Sequence, residues 1–263
     1  MAITTLDGWI ASAKQSINMA KTTVRTTIAG AWFTLFDVAG QPGAGVLAGT
    51  STAAGIVPTD ATTGCPLINF STGTGYLSQV EFGNSVACRM KIFDMLFKAG
   101  AYAFNAAQTL AAQPSYSSRV PSGTDFSNTE IWLECVTAFT GNPSIAVTYT
   151  NQAGTAAKTT GTVALGLAPT VGRMIQLPLA AGDTGVQKIE SVTATVATVG
   201  TFNILVLKSV WGGRVRIAND GDVHGLDKTA MPVVYTDSAL MLAVNADSTS
   251  SGVPELEFVI ANG

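Results

Sequence analysis

The chain from residue 128 onward is a series of short apolar stretches separated by turn signals, and this spacing most constrains the fold. Stretches such as 129–139, 144–151 and 201–210 are rich in β-branched and aromatic residues. Gly, Asn and Pro clusters separate such stretches about every 8 to 14 residues. In SIAVTYTN (144–151), apolar and small polar residues alternate, as they do in a half-buried strand. The spacing is typical of an all-β sandwich or barrel.

The N-terminal half has a different pattern. Residues 4–24 place apolar side chains, among them Leu6 and Ile10, at helical spacing, which predicts an N-terminal helix. Residues 84–100 show a stripe of Val, Met and Phe with charged residues on the other side, which predicts a second, amphipathic helix. Residues 39–75 are rich in Gly, Ala and Thr and predict a long loop.

These patterns together predict a mainly β fold. We expect an antiparallel β-sandwich over residues 128–263. Residues 1–127 are expected to hold the N-terminal helix, the amphipathic helix and long Gly/Ala/Thr-rich loops. The sequence leaves open whether residues 1–127 form a separate domain or extended arms around a single sandwich.

The chain carries unusually little charge. Charged residues make up 12% of it, whereas a typical domain has about 25%. Such a surface is expected to be covered in part by other subunits. A net charge of −3 argues against binding to nucleic acid or to an anionic membrane. No apolar stretch reaches the length of a transmembrane helix, which is about 18 residues or more. The N-terminus lacks the pattern of a signal peptide, so we expect the chain to stay in the cytoplasm where it is made.

The residue types that usually catalyse reactions are scarce. His224 is the only histidine, and it lies in a segment rich in Asp and Gly, NDGDVHGLDK (219–228). That segment reads as a polar turn; an occasional cation site is the alternative, although its spacing is not that of an EF-hand. The three cysteines are widely spaced and are expected to be reduced and buried. We therefore expect no catalytic residue, no cofactor and no metal, and predict that the protein is not an enzyme.

Two pairs of charged residues share a strand face. Glu255 and Glu257 are two residues apart in a predicted strand, which separates them by about 6.6 Å. Arg214 and Arg216 have the same spacing in GGRVRI (212–217). The glutamates are interpreted as a strand edge that faces solvent or another subunit. The arginines favour a salt bridge across an interface over a phosphate contact.

Several segments resemble stretches of structural proteins encoded in the genomes of tailed bacteriophages. They are GQPGAG (40–45), the region 118–141 with NTEIWLE, VTYTNQAGTAAKT (147–159) and GRMIQLPLAAGDTGVQKIESVT (172–193). The motif NTEIWLE followed by the motif VTYTNQAGT is the most specific feature. The resemblance extends over about residues 30 to 210. It implies a virion component with a jelly-roll-like β-sandwich.

The leading hypothesis is a capsid decoration, or cement, protein located in the virion. Its expected partners are the major capsid protein and copies of itself, in a trimer or another symmetric assembly. The candidate interface residues are Trp9, Ile10, Trp32 and Phe36, because aromatic and apolar anchors often carry interfaces.

The leading hypothesis has three alternatives. The scarcity of His, Cys and clustered acidic residues argues against the first, a hydrolase with an unusual site. Two others remain. One is a tail, neck or baseplate structural protein. The other is a carbohydrate- or receptor-binding β-sandwich, in which exposed aromatic residues would cluster on one face. The candidate aromatic residues for this last alternative are Tyr116, Trp132, Tyr149, Trp211 and Tyr235.

Overall fold

The computed structural model describes residues 3–70, 74–103, 107–165, 169–194 and 199–263. Within these ranges the helices are α1 (Leu6–Ala11) and α2 (Leu226–Thr229), with two short 3-10 turns at Ser117–Arg119 and Pro121–Gly123. The strands are β1 (Ala13–Lys21), β2 (Trp32–Thr34), β3 (Gly40–Gln41), β4 (Ser51–Ile56), β5 (Gly75–Asn84), β6 (Cys88–Ala103), β7 (Gln108–Thr109), β8 (Thr129–Thr137), β9 (Ser144–Asn151), β10 (Lys158–Thr159), β11 (Val163–Ala164), β12 (Arg173–Leu177), β13 (Val186–Ala194), β14 (Thr201–Val215), β15 (Asp220–His224), β16 (Val233–Val234), β17 (Leu240–Ala246) and β18 (Glu255–Asn262). The fold is mainly β with antiparallel sheets, and one sheet closes into a small barrel.

The chain forms two compact units, each built from separate segments. The first unit comprises Met1–Val46, Thr59–Asp94 and Ser209–Gly263, and the second comprises Leu47–Pro58 and Met95–Lys208. The predicted boundary between residues 127 and 128 falls inside the second unit.

The first unit joins the two ends of the chain in one sheet. Its strands lie in the order β15-β5-β18-β1-β3, and β16 also pairs with β5. The N-terminal β1 pairs along its length with the C-terminal β18, from Ala13 opposite Asn262 to Ala20 opposite Glu255. Strand β17 pairs with β2 and with the first half of β6. The core takes side chains from both groups of strands, including Met19, Phe258 and Leu242.

The second unit has its own core. One sheet has the strand order β10-β9-β13-β7, with β11 also on β9. A second group pairs β12 and β14 on either side of β8. Strand β9 alternates strictly, so that Ile145, Val147 and Tyr149 are buried. They pack with side chains of the second group such as Leu133 and Phe202.

Most of the predicted strands are present. The stretches at 129–139, 144–151 and 201–210 correspond to β8, β9 and β14. The predicted strand at 186–197 corresponds to β13, although its last residues lie outside the described part of the chain. The segment 39–75, predicted to be a loop, contains β3 and β4, and residues 71–73 of it are not described.

The two helix predictions need correction. Residues 84–100 are not a helix but contain the end of β5 and most of β6. The strand was not recognised because every residue from Ile92 to Gly100 is buried, so the segment shows no alternation of buried and exposed residues. The predicted helix over residues 4–24 is helical only in α1, after which β1 begins. In β1 the buried residues are two apart, at Ile17, Met19 and Lys21, which is strand spacing.

Candidate docking surfaces

The helix α1 presents its apolar side chains to solvent. Thr5 caps it, since its Oγ1 accepts a hydrogen bond from the Gly8 backbone N–H at 3.1 Å. Leu6 is 62% exposed and Ile10 is 60% exposed. Trp9 is half-buried, and the Lys14 ammonium lies 4.8 Å from the centre of its ring. The predicted interface residues Trp9 and Ile10 therefore lie on an element that contributes no buried residue.

The other two predicted interface residues lie in different environments. Phe36 is only 3% exposed, and a side chain at Gly45 would come within 2.4 Å of its ring, so Phe36 packs inside the first unit. Trp32 is half-buried at the start of β2, with the Lys91 ammonium 5.7 Å from its ring centre. Trp32 lines a groove on the unit surface.

A groove of about 640 Å³ lies on the outer face of the six-stranded sheet of the first unit. We call it the acidic groove and define it by its carboxylates, Glu81, Asp220, Asp222, Glu255 and Glu257. None of the described residues that line it is Lys or Arg. The groove is therefore a concave surface with one sign of charge.

Strand register explains how the acidic groove forms. Glu81 of β5 lies directly opposite Glu257 of β18, and Val223 of β15 lies opposite Glu81 on the other side. In the next row, Gly83 separates Glu255 from Gly221. The two glycines add no side chain there, so the row forms a trough between the charged residues. A side chain at Gly221 would come within 2.7 Å of the Phe82 carbonyl oxygen.

Two carboxylates of the acidic groove, those of Glu81 and Glu257, lie directly opposite each other on neighbouring strands. Residues directly opposite in an antiparallel pair have Cβ atoms about 4.5 to 5.5 Å apart, and like charges at such positions destabilise the pair. Glu257 accepts a hydrogen bond from the Ser16 hydroxyl at 2.6 Å. Within the described residues, neither Glu81, Glu255 nor Glu257 forms an ion pair with a Lys or Arg.

A second groove, of about 390 Å³, is basic and also belongs to the first unit. We call it the basic groove and define it by Arg89, Lys91, Arg214 and Arg216; Trp32, Asp222 and His224 also line it. Arg89 and Lys91 alternate in β6 with the buried Cys88 and Met90, so they point away from the core. Arg214 lies 3.8 Å from the Asp247 carboxylate, and both side chains are about half exposed. Arg89, Lys91 and Arg216 form no ion pair with another residue in the described ranges.

The segment 219–228, predicted to be a polar turn, forms β15 and α2. His224 Nδ1 accepts a hydrogen bond from Trp211 Nε1 at 3.1 Å. Asp222 lies 3.8 Å from His224 Nε2 and 3.7 Å from the Lys228 ammonium. A hydrogen bond from the Val223 backbone N–H lowers the pKa of Asp222, burial raises it in part, and the nearby Lys228 charge lowers it again. Among the described residues, no group of three His, Cys, Asp or Glu side chains is arranged to hold a metal ion.

Parts of both grooves were visible in the sequence. Arg214 with Arg216, and Glu255 with Glu257, were recognised because two-residue spacing in a strand puts both side chains on one face. Arg89 and Lys91 were missed because residues 84–100 were predicted to be a helix. Glu81 was missed because only the pairing of β5 with β18 brings it beside Glu257.

The aromatic residues expected to form a carbohydrate-binding face are mostly buried. Trp132, Trp211, Tyr116 and Tyr149 all have less than a tenth of their surface exposed, and only Tyr235 is half-buried. Trp132 Nε1 donates to a Glu130 carboxylate oxygen at 2.7 Å, and the Tyr116 hydroxyl donates to the Val186 carbonyl oxygen at 2.7 Å. These four rings pack within their units and do not form a surface on which a sugar ring could stack.

Comparisons with known proteins give only weak likenesses. No protein-family model matches the chain, and no curated protein matches it. Solved structures of the VP2 protein of infectious bursal disease virus in derived T=1 particles, and of the Gx strain of that virus, are 9% and 10% identical to it. The alignments cover 95% of this chain and 77% and 80% of those chains, each with a TM-score of 0.17. A TM-score this low carries no argument about fold or function.

Helices in the described part of the chain are all too short or too polar to cross a membrane.

Proposed function

We propose that this protein is a non-enzymatic structural component of a virion, and specifically a decoration protein of a tailed-phage capsid. The observation that carries the proposal is that the first unit has two grooves of opposite charge and a helix, α1, with exposed apolar side chains. Concave charged surfaces and exposed apolar anchors are features of protein–protein contact sites. The sequence resemblance to phage structural proteins and the low charge of the chain support the same assignment.

In this proposal the protein acts by burying surface. A contact across a seam between capsid subunits gains about 25 cal/mol for each Å² of apolar surface removed from water, before ordering costs. Leu6, Trp9 and Ile10 supply apolar surface at α1, and Trp32 supplies an aromatic anchor in the basic groove. Phe36 is omitted from the proposed anchors because it is already buried.

We also propose that each unit is a β-sandwich of the jelly-roll kind. The support is that each core takes side chains from two groups of antiparallel strands. Such sandwiches serve as building blocks in many viral capsids.

The first experiment is to measure the copy number of the chain in purified virions by quantitative mass spectrometry, with its position found by electron cryo-microscopy. Hundreds of copies on the head surface are expected. A few to a few dozen copies confined to the tail or a vertex would contradict the decoration proposal and favour a tail, neck, baseplate or receptor-binding role. Absence from the virion would contradict the structural proposal altogether.

A second experiment tests the proposed anchors. Trp9→Ala and Trp32→Ala are each expected to reduce occupancy on the head, because each removes an aromatic contact, while the isolated variants stay folded. Phe139→Ala is the matched control, since Phe139 is buried in the second unit and its loss should lower stability instead. Unchanged occupancy for both tryptophan variants would contradict their role as anchors.

A further inference from the structure

We propose that the acidic groove of one copy of this chain binds the basic groove of a second copy, so that copies associate head to tail. The inference rests on the proposed structural function and assigns the surfaces through which copies would meet. The acidic groove and the basic groove of the first unit are complementary in charge.

The two grooves have opposite charges, and each contains a pair of charged residues with the same spacing along a strand. Glu255 and Glu257 are two residues apart on β18, and Arg89 and Lys91 are two residues apart on β6. Alternate residues of a strand repeat at about 6.8 Å, so the carboxylates and the cations are spaced alike. The pair Arg89 and Lys91 thus has the same spacing as the pair Glu255 and Glu257. Opposite potentials of this kind fix the register of an interface.

Some of the charges in each groove form no ion pair within the described residues, although Arg214 pairs with Asp247 and Asp222 pairs with Lys228. Glu81 and Glu257 face each other across β5 and β18, which destabilises the isolated sheet. In the basic groove, Arg89, Lys91 and Arg216 form no ion pair with a carboxylate in the described ranges. Bringing the grooves together would relieve repulsion in one and supply counter-charges to the other.

The two grooves lie mainly on different strands of the first unit. The acidic groove lies on the face of β5 and β18 that points away from the core, and Arg89 and Lys91 lie on the outward face of β6. Asp222 of β15 lines both grooves, so the two grooves adjoin on the first unit. A contact between unlike surfaces of this type is heterologous, and it forms rings when the rotation closes.

Apolar side chains border both grooves and supply contact area. Val223 and Val253 line the acidic groove, and both are exposed. Trp32 lines the basic groove, where Lys91 lies over its ring. The interface would thus combine apolar and aromatic contacts with a charged surround, as interfaces between proteins commonly do.

The test uses two charge-reversal variants of the full chain. Variant A carries Glu81→Lys and Glu257→Lys, and variant B carries Arg89→Glu and Arg216→Glu. Self-association is measured by sedimentation velocity at about 50 mM and about 500 mM salt, since exposed charge pairs are screened at high salt. Lys188→Glu, at an exposed position of the second unit, is the control. Circular dichroism and thermal unfolding show whether each variant is folded.

We expect the wild-type chain to associate with concentration at low salt and to dissociate at high salt. Variants A and B should each associate at least about tenfold more weakly, because each then opposes like charges. An equimolar mixture of A and B should associate again, since the lysines of A face the glutamates of B and the unaltered grooves of the two variants also match. The control should behave as the wild type.

Three results would each overturn the proposal: a wild-type chain that stays monomeric at low salt, a folded variant A or B that associates as the wild type does, or a mixture that remains dissociated. If variant A does not fold, Glu81→Gln with Glu257→Gln replaces it, and the expected result is weaker, less salt-sensitive association. These outcomes are independent of the copy number in virions. A failure here therefore leaves the proposed function standing, and self-association of a chain absent from virions would leave this inference standing alone.

Discussion

Glu134 is a carboxylate inside the core of the second unit, where a charged group requires partners. Its Oε2 accepts a hydrogen bond from Asn203 Nδ2 at 2.7 Å and lies 3.8 Å from the Lys98 ammonium. Asn203 also donates to the Leu47 carbonyl oxygen and accepts from the Gly49 backbone N–H. The side chains of Lys98, Glu134 and Asn203 thus connect β6, β8 and β14 to the segment that precedes β4.

Replacing Glu134 with Leu is expected to lower the free energy of unfolding by about 3 to 5 kcal/mol, because the Lys98 charge is then buried without its carboxylate. The double variant Glu134→Leu with Lys98→Met should recover much of that loss, since it removes both charges. Urea-induced unfolding followed by circular dichroism measures both. A single variant that loses less than about 1 kcal/mol, or a double variant no more stable than the single one, would contradict this role.

The helix α1 and the strand β1 are adjacent in the chain, but only β1 contributes side chains to the core. The helix α1 buries none of its residues, whereas β1 lies between β18 and β3 and buries Ile17 and Met19. The difference arises because β1 finds a partner strand at the far end of the chain. Helical propensity in residues 13–21 was overridden by this long-range pairing.

The same substitution in the two elements should therefore have different effects. Ile10→Ala in α1 is expected to change the free energy of unfolding by no more than about 0.5 kcal/mol, because Ile10 is already exposed to water. Ile17→Ala in β1 is expected to cost about 2 to 5 kcal/mol, because it leaves a cavity in the core. Chemical denaturation of the two variants makes the comparison. Equal losses would show that α1 packs more tightly than its exposure indicates.

Strand β6 shows why the second helix prediction was wrong. Its first residues alternate between buried Cys88, Met90 and Ile92 and outward Arg89 and Lys91, which is a strand pattern. From Ile92 onward both faces are covered. The residues Val86, Met90, Phe93 and Phe97 match helical spacing by chance. Burial on both faces depends on neighbouring strands that local sequence does not specify.

For the whole molecule, the cysteines confirm what the composition predicted. Cys65, Cys88 and Cys135 are all buried, none of the three forms a disulfide, and they are distributed over both units. Burial raises the pKa of Cys88, the Asn84 amide lowers it in part, and the Asp247 charge raises it again. A thiol that stays protonated and covered is a poor nucleophile.

We therefore expect the native protein to react with a thiol reagent such as dithionitrobenzoate at well below one equivalent per chain at neutral pH. Unfolding in guanidinium should expose all three thiols to the reagent. The release of thionitrobenzoate, followed by absorbance, gives both values. Rapid labelling of one or more thiols in the native protein would contradict the burial of these residues, and fewer than three after unfolding would indicate oxidation.

The mainly β character of the chain can be predicted from its sequence, because alternating and β-branched stretches such as 144–151 encode strand spacing locally. The sequence also pointed to four of the nine charged residues that define the two grooves, since Arg214 with Arg216 and Glu255 with Glu257 are each close along one strand. Only the tertiary structure decided which strands pair. The pairing of β5 with β18 brings Glu81 beside Glu257, and the pairing of β1 with β18 joins the ends of the chain. Contacts between residues far apart in sequence depend on the packing of the whole core, which no local pattern of residues records.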